Sequence, residues 1–169
     1  KLRHYVISAG LKDILDGCTI AKYFHRIYAS EYYYDHYGAA KFPKLVITDT
    51  GKTQFIFRIN KGRERLGENV NEHMGYADRA IPFSNILYIG DGMSDVPSMT
   101  VTQKNRGYVI AVYSNLKGIR VCRQLYDATR VDFFSKADYR PKSELISNMQ
   151  MILKTMVHDI LFKEAQFKQ

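Results

Sequence analysis

Short apolar runs alternate with longer stretches of helical periodicity along this chain. The runs are continuously apolar rather than alternating, which is typical of strands buried on both faces of a sheet. Strands are predicted at residues 4–8, 26–29, 85–89, 108–113 and 131–134. Helices are predicted as a short segment from Leu11, at 94–104, at 116–128 and after Pro141. This alternation predicts an α/β fold with a parallel sheet covered by helices on both faces.

The last predicted helix carries one broad apolar stripe. Its members recur at helical spacing from Leu145 to Leu161. Such a stripe faces a core in most globular proteins. We therefore expect the stripe to pack on the sheet or on a partner, and core packing is the preferred interpretation.

The segment 32–57 predicts a β-hairpin excursion from the sheet. Residues 44–48 and 53–59 are rich in β-forming side chains and flank the turn-like run 49–52. The run 48–53 also resembles a nucleophile loop, an aspartic-protease Asp-Thr-Gly, or the end of a P-loop. A nucleophile loop would need a second acid, an aspartic protease a second copy of the motif, and a P-loop an earlier glycine. The chain has none of these features at the required positions, so a β-turn is the preferred interpretation.

The composition indicates the chemical class of the partners but identifies no single partner. The 169 residues are 46% hydrophobic and 25% charged, as in globular domains. The net charge of +8 favours anionic partners such as phosphate esters or nucleic acid. No apolar run reaches membrane-spanning length, so no membrane partner is expected. Cys18 and Cys122 match no zinc or redox spacing, and a cytoplasmic location is expected.

The strongest chemical signal is the run Gly90-Asp91-Gly92, with Asp95 four residues after Asp91. It directly follows a predicted strand, and ligands of open α/β sheets bind beyond the carboxyl ends of the strands. Two carboxylates at such an edge suit Mg²⁺, which prefers oxygen ligands. The alternative is an acidic loop in which Asp91 caps the next helix.

Two weaker signals lie at other predicted strand ends. Ser8, followed by Ala9 and Gly10, combines a hydroxyl with the free amides of a helix start, an arrangement that binds phosphate. Plain helix capping by Ser8 is the alternative. Lys61, followed by Gly62, can reach the same crevice as a point charge, although most lysines are simply solvated.

In this order the three signals resemble the haloacid-dehalogenase-like hydrolase superfamily, nearest its phosphoserine-phosphatase-like branch. The resemblance extends from Tyr5 to about Arg140. It implies a three-layer, Rossmann-like α/β/α core and a Mg²⁺-dependent phosphohydrolase that acts through an aspartyl-phosphate on a small phosphorylated substrate. It further implies that Ser8 and Lys61 serve catalysis and that Asp91 and Asp95 form the metal site. Phosphate would bind to Ser8, Ala9, Gly10 and Lys61. Ser94 stands where the branch often has Asn.

One family motif is absent. The nucleophile sequence Asp-x-Asp occurs nowhere in the chain, and no acid precedes Ser8. We therefore expect a chain that lacks the first strand and the cap, is inactive alone, and depends on a missing N-terminal segment. Two other classes stay open: a non-catalytic phosphate- or partner-binding domain, and a basic nucleic-acid-binding domain using its tyrosines, which no known motif favours.

Overall fold

A computed structural model describes residues 1–167, which form two three-stranded sheets. The first sheet contains β1 (Tyr5–Leu11), β2 (Arg26–Tyr34) and β3 (Ala40–Leu45) in that order. β1 pairs with β2 in parallel, and β2 pairs with β3 antiparallel. A short helix α1 (Lys12–Asp16) and a single 3₁₀ turn (Ala21–Tyr23) connect the first two strands.

The second sheet is entirely parallel. It contains β4 (Leu87–Gly90), β5 (Tyr108–Tyr113) and β6 (Phe133–Lys136), with β5 in the middle. The four longer helices are α2 (Lys52–Lys61), α3 (Val96–Lys104), α4 (Leu116–Asp127) and α5 (Glu144–Phe167). Single 3₁₀ turns at Phe83–Asn85 and Met93–Asp95 precede β4 and α3. The chain is therefore mixed α/β with a parallel sheet, as the apolar runs predicted.

Helices cover both faces of the second sheet because alternate β5 side chains point in opposite directions. On one face Val109 and Ala111 pack against Met99 of α3 and Leu125 of α4. On the other face Ile110 and Val112 pack against buried side chains of α5, namely Leu145, Ile152 and Met156. β5 is thus the buried strand that its continuous apolar run predicts.

The apolar stripe of α5 is only partly buried, and its first part packs on the sheet. Met156 is 6% exposed, whereas Val157 and Leu161 are 53% and 56% exposed. The cause is length. A 24-residue helix is about 36 Å long, while a six-residue strand spans about 20 Å. The distal turns of α5 therefore extend past the sheet.

The predicted hairpin is displaced from its expected position. The hairpin consists of β2 and β3, closed by a turn at 35–39 in which Gly38 has φ of 78°. Residues 53–59 were expected as a strand but belong to α2. Their apolar members Phe55, Ile56 and Ile59 recur at helical spacing and are buried, Phe55 and Ile59 against Tyr28 and its neighbours.

Both predicted strands that carry candidate motifs are less buried than expected. Residues 5–8 of β1 and Leu87–Ile89 of β4 are only half-buried. The reason is topological: β1 and β4 each end a sheet, so each has one edge without a neighbouring strand. Among the described helices, none combines the length and hydropathy of a membrane span.

Candidate functional site

The centre of the candidate site is a buried ion pair between α2 and the turn that follows β4. The Lys52 ammonium lies 2.9 Å from Oδ1 of Asp95, and each side chain is 8% exposed. Lys52 also donates to the Ser94 hydroxyl at 3.2 Å. This arrangement joins an element of the first half of the chain to the acidic run after β4.

Lys52 was not among the sequence candidates, because its surroundings were interpreted as a β-turn. The turn exists, but it leads directly into α2, whose N-cap is Gly51. The Lys52 amide donates to the Thr48 carbonyl at 3.0 Å and closes this turn. The signal that could have identified Lys52 is the helical spacing of Phe55, Ile56 and Ile59, which makes it the first residue of a buried helix.

Asp95 is held by three donors. Besides Lys52, the Tyr88 hydroxyl donates to Oδ1 at 2.7 Å and the Asp91 amide donates to Oδ2 at 3.2 Å. Burial raises the pKa of Tyr88, and the negative charge of Asp95 raises it further. Tyr88 therefore stays a neutral donor at physiological pH. A carboxylate with this set of partners is suited to position Lys52.

Gly90 is required by the close approach of Asp95. A Cβ at position 90 would lie 2.8 Å from Cβ, Cγ and Oδ2 of Asp95, closer than real Cβ contacts. Gly92 has no such neighbour within 4 Å. Only the first glycine of the Gly-Asp-Gly run thus serves to seat the Asp95 side chain.

Asp91 differs from Asp95 in its surroundings. Its side chain is exposed, and within residues 1–167 no hydrogen bond engages its carboxylate. The same part of the chain contains no group of three or more His, Cys, Asp or Glu side chains arranged to hold a metal ion. Of the two predicted metal ligands, Asp91 is available to a hard cation such as Mg²⁺, while Asp95 is engaged by Lys52.

Ser8 makes local contacts on β1. Its hydroxyl accepts the Gly10 amide at 3.0 Å, and Ala9 and Gly10 are exposed strand residues rather than the start of a helix. The Ser30 hydroxyl donates to the Ala9 carbonyl at 3.0 Å and accepts the Ile47 amide at 3.1 Å. The helix that follows begins at Lys12, and Ala9 and Gly10 leave this strand end open to solvent, so phosphate binding at Ser8 stays a prediction.

Lys61 is not brought to these groups. It ends α2, nine residues after Lys52, which corresponds to about 13 Å along the helix axis. Its ammonium donates to the carbonyls of Val70 and Glu72, both at 2.7 Å. The predicted catalytic and phosphate-binding role of Lys61 does not fit this position. Lys52 holds the position beside the acids.

Comparison with known proteins adds no named relative. No protein-family model matches the chain, and no solved structure matches it. An uncharacterized protein of Borreliella burgdorferi is 30% identical over 163 residues, which cover 86% of this chain and 55% of the relative. The chain thus spans about half the length of the curated relative it matches.

Proposed function

We propose that the intact protein is a Mg²⁺-dependent phosphohydrolase related to the haloacid-dehalogenase-like superfamily, and that this chain supplies the lysine and the metal-binding carboxylate of the site but neither the nucleophile nor the general acid. The observation that carries the proposal is the Lys52–Asp95 pair beside the exposed Asp91, directly after a parallel strand. Phosphoryl transfer depends mainly on positioned charge, which a cation and a free carboxylate at one strand end supply.

In the proposed reaction a carboxylate from outside residues 1–169 attacks phosphorus. The ester P–O bond breaks, and the leaving oxygen takes a proton from a second carboxylic acid. Water then gives a proton to this second carboxylate and attacks phosphorus of the acyl phosphate, the P–O bond to the nucleophile breaks, and phosphate is released with both groups regenerated. Lys52 neutralises the phosphoryl oxygens and Asp95 keeps Lys52 oriented. A bound Mg²⁺ would supply further neutralisation next to Asp91.

The open sheet edges support the proposal that a strand is contributed from elsewhere. α2 packs on β1, α3 packs on β4, and the two helices contact each other. Packed helices lie about 8–10 Å apart, which is twice the strand spacing of about 4.8 Å. This spacing is consistent with room for one further strand between β1 and β4. The half-buried apolar residues of β4 and the exposed distal turns of α5 would then gain cover.

The decisive experiment assays a longer polypeptide that includes the coding sequence upstream of Lys1. We expect hydrolysis of p-nitrophenyl phosphate that requires Mg²⁺ and is lost in Lys52→Ala and Asp91→Asn. Lys61→Ala is the matched control, because its ammonium bonds only loop carbonyls. Equal losses in Lys52→Ala and Lys61→Ala, or no activity in the extended wild type with Mg²⁺, would contradict the proposal.

A further inference from the structure

A cavity of about 470 Å³ lies beside the loop that follows β6. Its walls come from this loop and from the first turns of α5. It is lined by Tyr139, Pro141, Lys142, Ile146, Ser147 and Gln150. The cavity is an open surface depression, since five of its six lining residues are exposed. The lining combines an aromatic ring, apolar side chains and one cation, and it contains no carboxylate.

The loop is held in a fixed shape. The Arg140 guanidinium donates to both oxygens of Asp138, at 2.8 and 2.6 Å, and the Ser143 hydroxyl donates to the Asp138 carbonyl at 2.6 Å. Hydrogen bonds from the Arg140 side chain and amide hold the pKa of Asp138 well below its usual range, so the pair persists at neutral pH. Tyr139, between the paired residues, is left 59% exposed. Its ring is available as one wall of the cavity.

Lys142 has an unusual backbone. Its φ is 67°, a region that disfavours residues with a Cβ. Arg106 and Thr129 share a positive φ, but they follow the C-terminal ends of α3 and α4, where left-handed residues are common. Lys142 instead precedes a helix. Within residues 1–167 it forms no salt bridge. Strained residues concentrate at functional sites, and this one presents a cation to the cavity.

The loop that lines the cavity lies at the same edge of the sheet as the proposed phosphoryl site. β4 and β6 flank β5 in one parallel sheet, so Asp91 and the loop after β6 lie at the same edge, about two strand spacings apart. A molecule bound in the cavity can therefore extend toward Asp91.

We propose that this cavity binds the leaving group of the substrate, and that this group has a flat apolar body and a negative charge of its own. The Tyr139 ring contacts the flat body, and Lys142 pairs with the anion. Ile146 and Pro141 supply apolar contact, while Gln150 supplies an amide. The inference rests on the proposed function, because it names the substrate class for that site.

The test begins with binding to the 169-residue chain, which needs no activity. Benzoate and benzamide are flat probes that differ in charge, and amide NMR spectra report where each binds. We expect benzoate to shift signals of residues 139–150 and benzamide to bind about fivefold more weakly, as for loss of a partly exposed ion pair. Lys142→Gln should weaken the binding of benzoate by the same factor of about five. Lys104→Gln, at the end of α3, is the control.

The proposal would be overturned if benzoate shifted NMR signals all over the protein surface, or if Lys142→Gln and the wild type bound benzoate with equal affinity. A second measurement separates it from the proposed function. In the extended protein, kcat/KM for 4-carboxyphenyl phosphate over phenyl phosphate should fall about fivefold in Lys142→Gln. An unchanged ratio in an active enzyme refutes the cavity's role. Inactivity toward both esters, with localised benzoate binding intact, refutes the phosphohydrolase and leaves the binding site standing.

Discussion

Replacing Lys52 by Met is expected to destabilise the chain strongly, because it leaves the Asp95 carboxylate buried without its cation. Removing one partner of a buried ion pair costs about 3–5 kcal/mol. Asp95 retains the Tyr88 hydroxyl and the Asp91 amide as donors, so the lower end, about 3 kcal/mol, applies. For a domain of this size that corresponds to a fall in Tm of about 6–12 °C.

The assay is urea unfolding followed by circular dichroism at neutral pH, with a second variant that isolates the charge. Adding Asp95→Asn to Lys52→Met removes the uncompensated charge and keeps one carbonyl oxygen, which can accept from the Tyr88 hydroxyl or from the Asp91 amide but not from both. We expect the double variant to recover more than half of the lost free energy of unfolding. Lys12→Met is the control, since Lys12 and Asp16 form an exposed pair worth about 0.5 kcal/mol or less.

Two results would refute this reasoning. One is a loss below about 0.5 kcal/mol in Lys52→Met, which is the range of a surface change. The other is a double variant no more stable than Lys52→Met alone. The second result would mean that lost packing of the Lys52 side chain, rather than the buried charge of Asp95, accounts for the cost.

Three further outcomes are expected. Gly90→Ala should lower the free energy of unfolding by about 1–3 kcal/mol in urea, because the new Cβ overlaps Asp95. Gly92→Ala should change it by less than about 0.5 kcal/mol. Equal effects of the two variants would contradict the conclusion that Gly90 makes room for Asp95. Arg58→Met should destabilise by about 2 kcal/mol or more and speed proteolysis between residues 62 and 70, since the Arg58 guanidinium serves four loop carbonyls. Tyr28 and Tyr88 have raised pKa values, so unfolding should release their protons at high pH. The contribution of these two tyrosines to the free energy of unfolding is therefore fully present below about pH 10, their pKa in the unfolded chain, and is lost as the pH rises above it. Absorbance at 295 nm should show the two tyrosines ionising only when the protein unfolds.

The sequence predicted best where a local pattern and its tertiary surroundings agree. The run 108–113 is continuously apolar, and it forms the central strand of a parallel sheet. The carboxyl end of β4 carries the acidic run at its predicted place. The strand and the acidic run are each determined by residues that are close together in the sequence, so one sequence is enough to predict them.

The sequence predicted poorly where burial or partnership depends on distant elements. Phe55, Ile56 and Ile59 have high β-propensity, yet α2 forms because their spacing buries them together. Lys52 and Lys61 look equivalent as solvated lysines, and only packing of α2 against the Asp95 turn distinguishes them. The exposure of Leu161 follows from the length of the strands beneath α5, a property that no residue of α5 encodes.

The loop after α2 is anchored in a way that bears on how this protein changes over evolutionary time. Arg58 and Lys61 donate to backbone carbonyls of residues 63–72. Every residue type offers such a carbonyl, so those contacts place little demand on the loop's own side chains. Selection on two helix positions can preserve the course of the loop while its sequence drifts. Divergence concentrated in this segment would therefore leave α2, and with it Lys52, where it is.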